Sequence, residues 1–105
     1  MGAKKVFLYG ELQLSVPAFT QEVWGPVNRE LKTVPGLVRK TWTVGIGTNT
    51  VGGFYEFDGE EHAWAFAQGL YAQQAARLGA SLTVKLFDGD VAEAASRGMD
   101  SPHYS

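Results

Sequence analysis

Apolar and polar positions alternate from Lys4 to Leu14, with Val6, Leu8, Leu12 and Leu14 on one side and Phe7 and Tyr9 on the other. That period of two predicts a strand, and Ser15-Val16-Pro17 ends it. From Phe19 the period changes: Phe19, Val23, Val27, Leu31 and Val34 recur at helical spacing and predict one buried stripe. Gly25-Pro26 falls inside this helix. Proline removes a hydrogen bond and crowds the carbonyl four residues earlier, so a kink or two short helices are expected. Leu37 to Ile46 and Val51 to Asp58 are rich in β-branched and aromatic residues, and Gly47-Thr48-Asn49-Thr50 lies between them, so this stretch predicts a hairpin. Pairing Ile46 with Val51 sets Trp42 opposite Tyr55, Lys40 opposite Phe57, Gly45 opposite Gly52 and Val44 opposite Gly53. Glycine inside a strand marks a bulge or a close approach by another group. An aromatic wall beside a glycine gap suits a small-molecule pocket and equally a closely packed helix.

A second helix follows, with Asp58 as its N-cap, Glu60 and Glu61 in its first turn and Gly79 as its stop. Ala63, Phe66, Ala67, Leu70 and Leu78 form its core stripe, with Trp64 and Tyr71 beside it. Leu82 to Asp88 alternates as a last strand, Asp90 to Arg97 predicts a short helix, and the tail from Gly98 has no pattern, being either mobile or ordered by a partner. The order β-α-β-β-α-β predicts an α+β, ferredoxin-like domain over residues 1–90. Its antiparallel sheet runs in order 4-1-3-2 with both helices on one face, and residues 91–105 form a terminal helix and tail.

Both faces of that sheet carry large apolar residues. Val6, Leu8, Leu12, Phe54, Leu82, Val84 and Leu86 are assigned to one, and Phe7, Tyr9, Trp42, Tyr55, Phe57 and Phe87 to the other. Two helices cover only one face, so the expectation is a two-fold homodimer whose sheets pack together into a barrel, the alternative being cover by the tail and loops.

A net charge of -2 leaves no basic footprint for nucleic acid, and the absence of cysteine removes disulfides, thiolate metal sites and cysteine nucleophiles. No apolar stretch approaches the length of a membrane span. The start has no signal-peptide pattern, and Val6 stands where a myristoylation motif needs Ser or Thr. A cytoplasmic protein is therefore expected.

Pro35-Gly36, Lys40-x-Trp42-Thr43, Gly52-Gly53-x-Tyr55-x-Phe57, Leu78-Gly79 and Lys85-x-Phe87-Asp88 together resemble the YdhR-like mono-oxygenases of the dimeric α+β barrel superfamily. The resemblance runs from the first strand to Asp88. It implies a homodimer with a pocket between helices and sheet in each subunit. It also implies oxygenase chemistry that needs neither metal nor flavin: a phenol or quinol-like aromatic is ionised in an apolar pocket, and its anion reacts with dioxygen.

Such chemistry requires a proton acceptor, donors for the oxyanion and a shape that excludes water. Tyr55 offers a hydroxyl for proton transfer, and Lys40, on the same face, offers a cation for a phenolate or enolate, or else serves as an edge-strand lysine. Trp42, Trp24, Trp64 and Tyr71 are expected as walls with polar tips, and Tyr9 as a second hydroxyl if it shares their facing. Lys85 lies three strand spacings from Lys40, roughly 14 Å, and is read as structural. His62 and His103 have no partner at metal-ligand spacing, so no metal site is expected. No Gly-x-Ser-x-Gly, P-loop or dinucleotide motif is present. The reading is a mono-oxygenase acting on a small aromatic or polycyclic compound. The alternatives are a hydrophobic-ligand binder and a cofactor-free isomerase or decarboxylase.

Overall fold

Alternation in VFLYGELQ places β1 (Val6–Gln13) at the centre of the molecule, where it pairs on both sides. The computed structural model describes residues 2–104. After β1 come α1 (Gln21–Leu31), β2 (Leu37–Val44), β3 (Thr50–Phe57), α2 (Glu60–Phe66), a π-helical turn (Ala67–Tyr71), α3 (Ala72–Leu78), β4 (Leu82–Asp88) and α4 (Glu93–Arg97). The strands form one antiparallel sheet in the order β2-β3-β1-β4, as expected for the ferredoxin-like arrangement.

The face assignment differs from expectation. Val6 pairs with Phe57 and Leu8 with Tyr55, so odd residues of β3 share a face with even residues of β1. Trp42, Tyr55 and Phe57 therefore lie with Val6, Leu8 and Leu12 against the helices, and Phe54 lies with Phe7 on the opposite face. No turn connects β1 to β3, so local sequence does not fix their register. The hairpin is also shifted by two residues. Val44 faces Val51, Trp42 faces Gly53 and Lys40 faces Tyr55, because the loop spans Ile46–Asn49 with Gly47 and Asn49 at positive φ. A shift of two leaves every side chain on its expected face of the hairpin.

The core lies between sheet and helices, where Tyr55, Phe57, Leu8 and Val6 are the most deeply buried large side chains. Full burial of a side chain of this kind contributes about 1.5–3 kcal/mol. α1 runs unbroken through Pro26, which sits only one turn in, so the exposed Glu22 is the residue whose carbonyl loses its donor. The second helix is interrupted by the π turn, and its extra residue brings Tyr71 and Ala75 to the core in place of Leu70 and Gln74. Gly79, at φ 65, caps α3. Gly59 takes the N-cap position of α2, and Asp58 instead bonds His62 Nδ1 at 2.7 Å.

The tail is ordered against the outer face. Tyr104 is buried and donates to the Gly89 carbonyl at 2.6 Å, while His103 packs its ring on Phe7 and Phe54. Beside it the buried Glu56 pairs with Lys5 at 3.1 Å and Arg39 at 3.5 Å. No helix among the described residues is long and apolar enough to cross a membrane.

Candidate active site

Three rows of side chains cross the helix-facing side of the sheet from β2 to β4. One reads Lys40, Tyr55, Leu8, Leu86 and another Val44, Val51, Leu12, Leu82. The row between them is Trp42, Gly53, Gly10, Val84, with the two glycines paired directly on the central strands. The sheet is bare there, between an indole and two apolar rows. α2 lies close on β1 and β3 and fills one end of this surface, whereas α1 stands away from the sheet. The space left between α1, α3 and the bare row is a cavity of about 390 Å³, within the size range of small-ligand sites.

Two polar side chains occupy the space over the glycines. A Cβ on Gly53 would lie 2.5 Å from Lys40 Cε, so the lysine stem crosses the sheet only because position 53 is empty. Its Nζ sits 3.2 Å from the Trp42 ring centroid and 4.7 Å from that of Tyr55. Lys40 makes no ion pair among the described residues. Burial without a counter-charge pulls its ammonium down to about 7. Near neutral pH the cavity therefore holds an amine about half in its basic form.

Tyr71 descends from the π turn onto Gly10, where a Cβ would lie 2.6 Å from its hydroxyl and 2.8 Å from Cζ. Its ring stacks on Phe66 at 5.1 Å and meets Tyr55 edge-on at 5.6 Å. The hydroxyl is buried without a hydrogen-bond partner among the described residues. Burial pushes the Tyr71 phenol up, and burial followed by the neighbouring Tyr71 pushes Tyr55 higher still. Both phenols stay protonated at physiological pH and so can only be donors to an anion.

Trp42 is fixed by its Nε1, which donates to Asn28 Oδ1 at 2.9 Å, and by Phe19 edge-on at 5.2 Å. Val23 and Val27 of α1 and Leu14 and Val16 after β1 complete the apolar walls, with Glu30, Gln74 and Arg77 supplying polar groups.

Four of the seven side chains singled out in the sequence thus meet around one cavity: Lys40, Trp42, Tyr55 and Tyr71. Three do not. Trp24 is half-buried on α1 away from the cavity walls, and Trp64 is 47% exposed on α2. Tyr9 points to the outer face, where its hydroxyl donates to Glu11; that hydrogen bond, burial and the carboxylate's charge raise its phenol. Gly10 and Asn28 were not singled out. Gly10 carried a signal, as a glycine interrupting an alternating strand, whereas nothing local distinguishes Asn28. Among the described residues no three His, Cys, Asp or Glu side chains converge on a metal-sized site.

No curated protein matches the chain. Among solved structures, it is similar to a crystallised variant of SnoaB, a cofactor-independent oxygenase from Streptomyces nogalater. The two are 20% identical with a TM-score of 0.57, over 81% of this chain and 92% of that one. At that identity the likeness speaks for the fold. A family model described as "Putative mono-oxygenase ydhR" matches residues 11–100, from β1 through α4. With all but the two ends of the 105 residues inside that match, the chain belongs to the ydhR mono-oxygenase family.

Proposed function

We propose that the protein is a cofactor-independent mono-oxygenase that oxidises a small phenolic or polycyclic aromatic compound in this cavity. The observation that carries the reading is the unpaired Lys40 amine on the aromatic floor of an apolar cavity. Family membership and the oxygenase activity stated for SnoaB support it.

A bound phenol donates its proton to the neutral Lys40 amine, and the resulting ammonium stays beside the phenolate as its counter-charge. An ion pair in a dry site attracts far more strongly than in water. The electron-rich ring carbon then gives one electron to dioxygen, and the radical pair combines to a peroxide at that carbon. The Lys40 ammonium returns its proton to the peroxide, and where that carbon bears a hydrogen, loss of water leaves a carbonyl: one oxygen atom ends in the product and the other in water. Tyr71 and Tyr55, held protonated, donate to the developing oxyanion. Trp42 and the valines of α1 orient the ring and keep water away.

A homodimer belongs to the same proposal. Phe87, 46% exposed, and Tyr9 lie on the outer face beside the buried Phe7 and the half-buried Phe54, on which the tail packs. Sedimentation should show a dimer that Phe87→Glu converts to monomer, and a monomeric wild type would remove this part.

The activity is tested by oxygen uptake of the chelator-treated protein with phenols, naphthols and anthrone-like compounds. Saturable uptake without flavin or metal is expected. Quenching of tryptophan fluorescence with no uptake for any compound would replace the enzyme by a ligand carrier.

A further inference from the structure

The lysine in the cavity has the attributes of a nucleophile as well as those of a base. Lys5 shows the contrast: its amine is committed to Glu56 at 3.1 Å and to the His103 carbonyl at 2.7 Å. The Lys40 amine makes no ion pair among the described residues and lies against the ring faces of Trp42 and Tyr55. Its stem is held in the channel left by Gly53, so the Nζ is presented at a fixed place on the cavity wall. The cavity is lined mainly by apolar side chains, which disfavours the water that hydrolyses an imine. The same wall carries Tyr71, whose buried hydroxyl has no partner among the described residues and can donate to an oxygen entering the site.

We propose that Lys40 forms a reversible imine with an aromatic aldehyde held in the cavity, giving the site a carbonyl-binding activity separate from oxygenation. The Nζ lone pair attacks the carbonyl carbon, forming the C–N bond and breaking the C–O π bond. A proton passes from nitrogen to oxygen to give the carbinolamine. Protonation of that oxygen, by Tyr71 or water, lets water leave as the nitrogen lone pair closes the C=N bond, and the remaining N–H proton returns to the same acid to give the imine. No oxidant or reductant is consumed. Loss of charge near neutral pH places about half of Lys40 in the reactive form, against well under 1% for an ordinary lysine at about 10.4.

The test is reductive trapping. Full-length protein at pH 7 is incubated with 2-naphthaldehyde and cyanoborohydride, and the adduct is located by peptide mass mapping. The expected result is one naphthylmethyl group per chain on Lys40, with labelling about tenfold or more above any other lysine. Preloading with 2-naphthol should suppress it, and lowering the pH to about 5.5 should reduce it at least tenfold. Labelling spread evenly over the lysines, or Lys40 labelling indifferent to 2-naphthol, would overturn the proposal. Lys40→Arg should lose the adduct; an undiminished adduct count in that variant would also overturn it. The wild-type map decides the matter even if that variant does not fold. Because 2-naphthaldehyde has no phenolic proton, this result stands or falls independently of oxygen uptake.

Discussion

Gly10→Ala perturbs the site through a single methyl group. The new Cβ would meet the Tyr71 ring at less than 3 Å, and that ring is enclosed by Phe66 at 5.1 Å and Tyr55 at 5.6 Å. Overpacking of this kind costs about 1–3 kcal/mol. Gly10 has no positive φ, and alanine is better than glycine within a strand by about 0.5–1 kcal/mol, which offsets part of the cost. The net expectation is a loss of up to about 2.5 kcal/mol, centred near 1 kcal/mol, read as a lower urea midpoint at unchanged slope. Tyr71 lines the cavity, so displacing its ring reshapes the cavity wall and 2-naphthol affinity should fall as well. Tyr71→Leu should abolish the stability cost of Gly10→Ala, since the two sites couple only through the ring. Gly69→Ala, in the π turn with nothing within 4 Å of its Cβ, serves as a control expected to be neutral or stabilising. A Gly10→Ala protein as stable as the wild type, with full ligand affinity, would refute the placement of Tyr71 over a bare sheet.

Lys40→Met should alter the pH dependence of stability. The folded-state value is about 7 against 10.5 in the unfolded chain, so between these limits the unfolded state binds more protons. Stability should rise with pH across that window and be lowest below about pH 7, by no more than about 5 kcal/mol and less where water reaches the amine. Urea titrations between pH 6 and 9 should show this slope in the wild type and not in Lys40→Met. Tyr71→Phe removes a buried hydroxyl without a partner, so stability should hold or rise by roughly 1 kcal/mol. Tyr71→Phe and Tyr55→Phe should each cut oxygen uptake by about a hundredfold; unchanged uptake in both would leave the phenols as walls only. Tyr104→Phe breaks the 2.6 Å hydrogen bond to Gly89 and should cost about 1 kcal/mol in urea while 2-naphthol binding stays the same.

The fold was legible because its signals are local. The period changes at Phe19, at Pro35-Gly36 and after Asp58 separate the elements, and Gly79 ends the helix where its αL conformation is needed. The convergence of Lys40, Trp42 and Tyr55 was legible through their shared facing, which survives a register shift of two. What local sequence could not supply was the pairing of β1 with β3, and with it the meeting of Gly10 and Gly53. The π turn was hidden for a similar reason: FAQGLYAQ suits an ordinary helix, and only the demand to seat Tyr71 over Gly10 distinguishes the wider turn. Trp24 and Trp64 are aromatic residues on helices, and spacing alone does not say which of them reaches a cavity and which faces solvent. Tyr9 lies on the outer face because a strand neighbour of Leu8 must point the other way.

The central claim is a proton transfer from a bound phenol to Lys40, and the absorption spectrum of a bound naphthol reads it directly. The ionised form absorbs at longer wavelength than the neutral one. With saturating protein at pH 7, below the solution ionisation range of the ligand, the bound naphthol should show the ionised spectrum, and Lys40→Met should return it to the neutral one. A naphthol that binds wild-type protein tightly but keeps its neutral spectrum, together with full turnover by Lys40→Met, would contradict the mechanism.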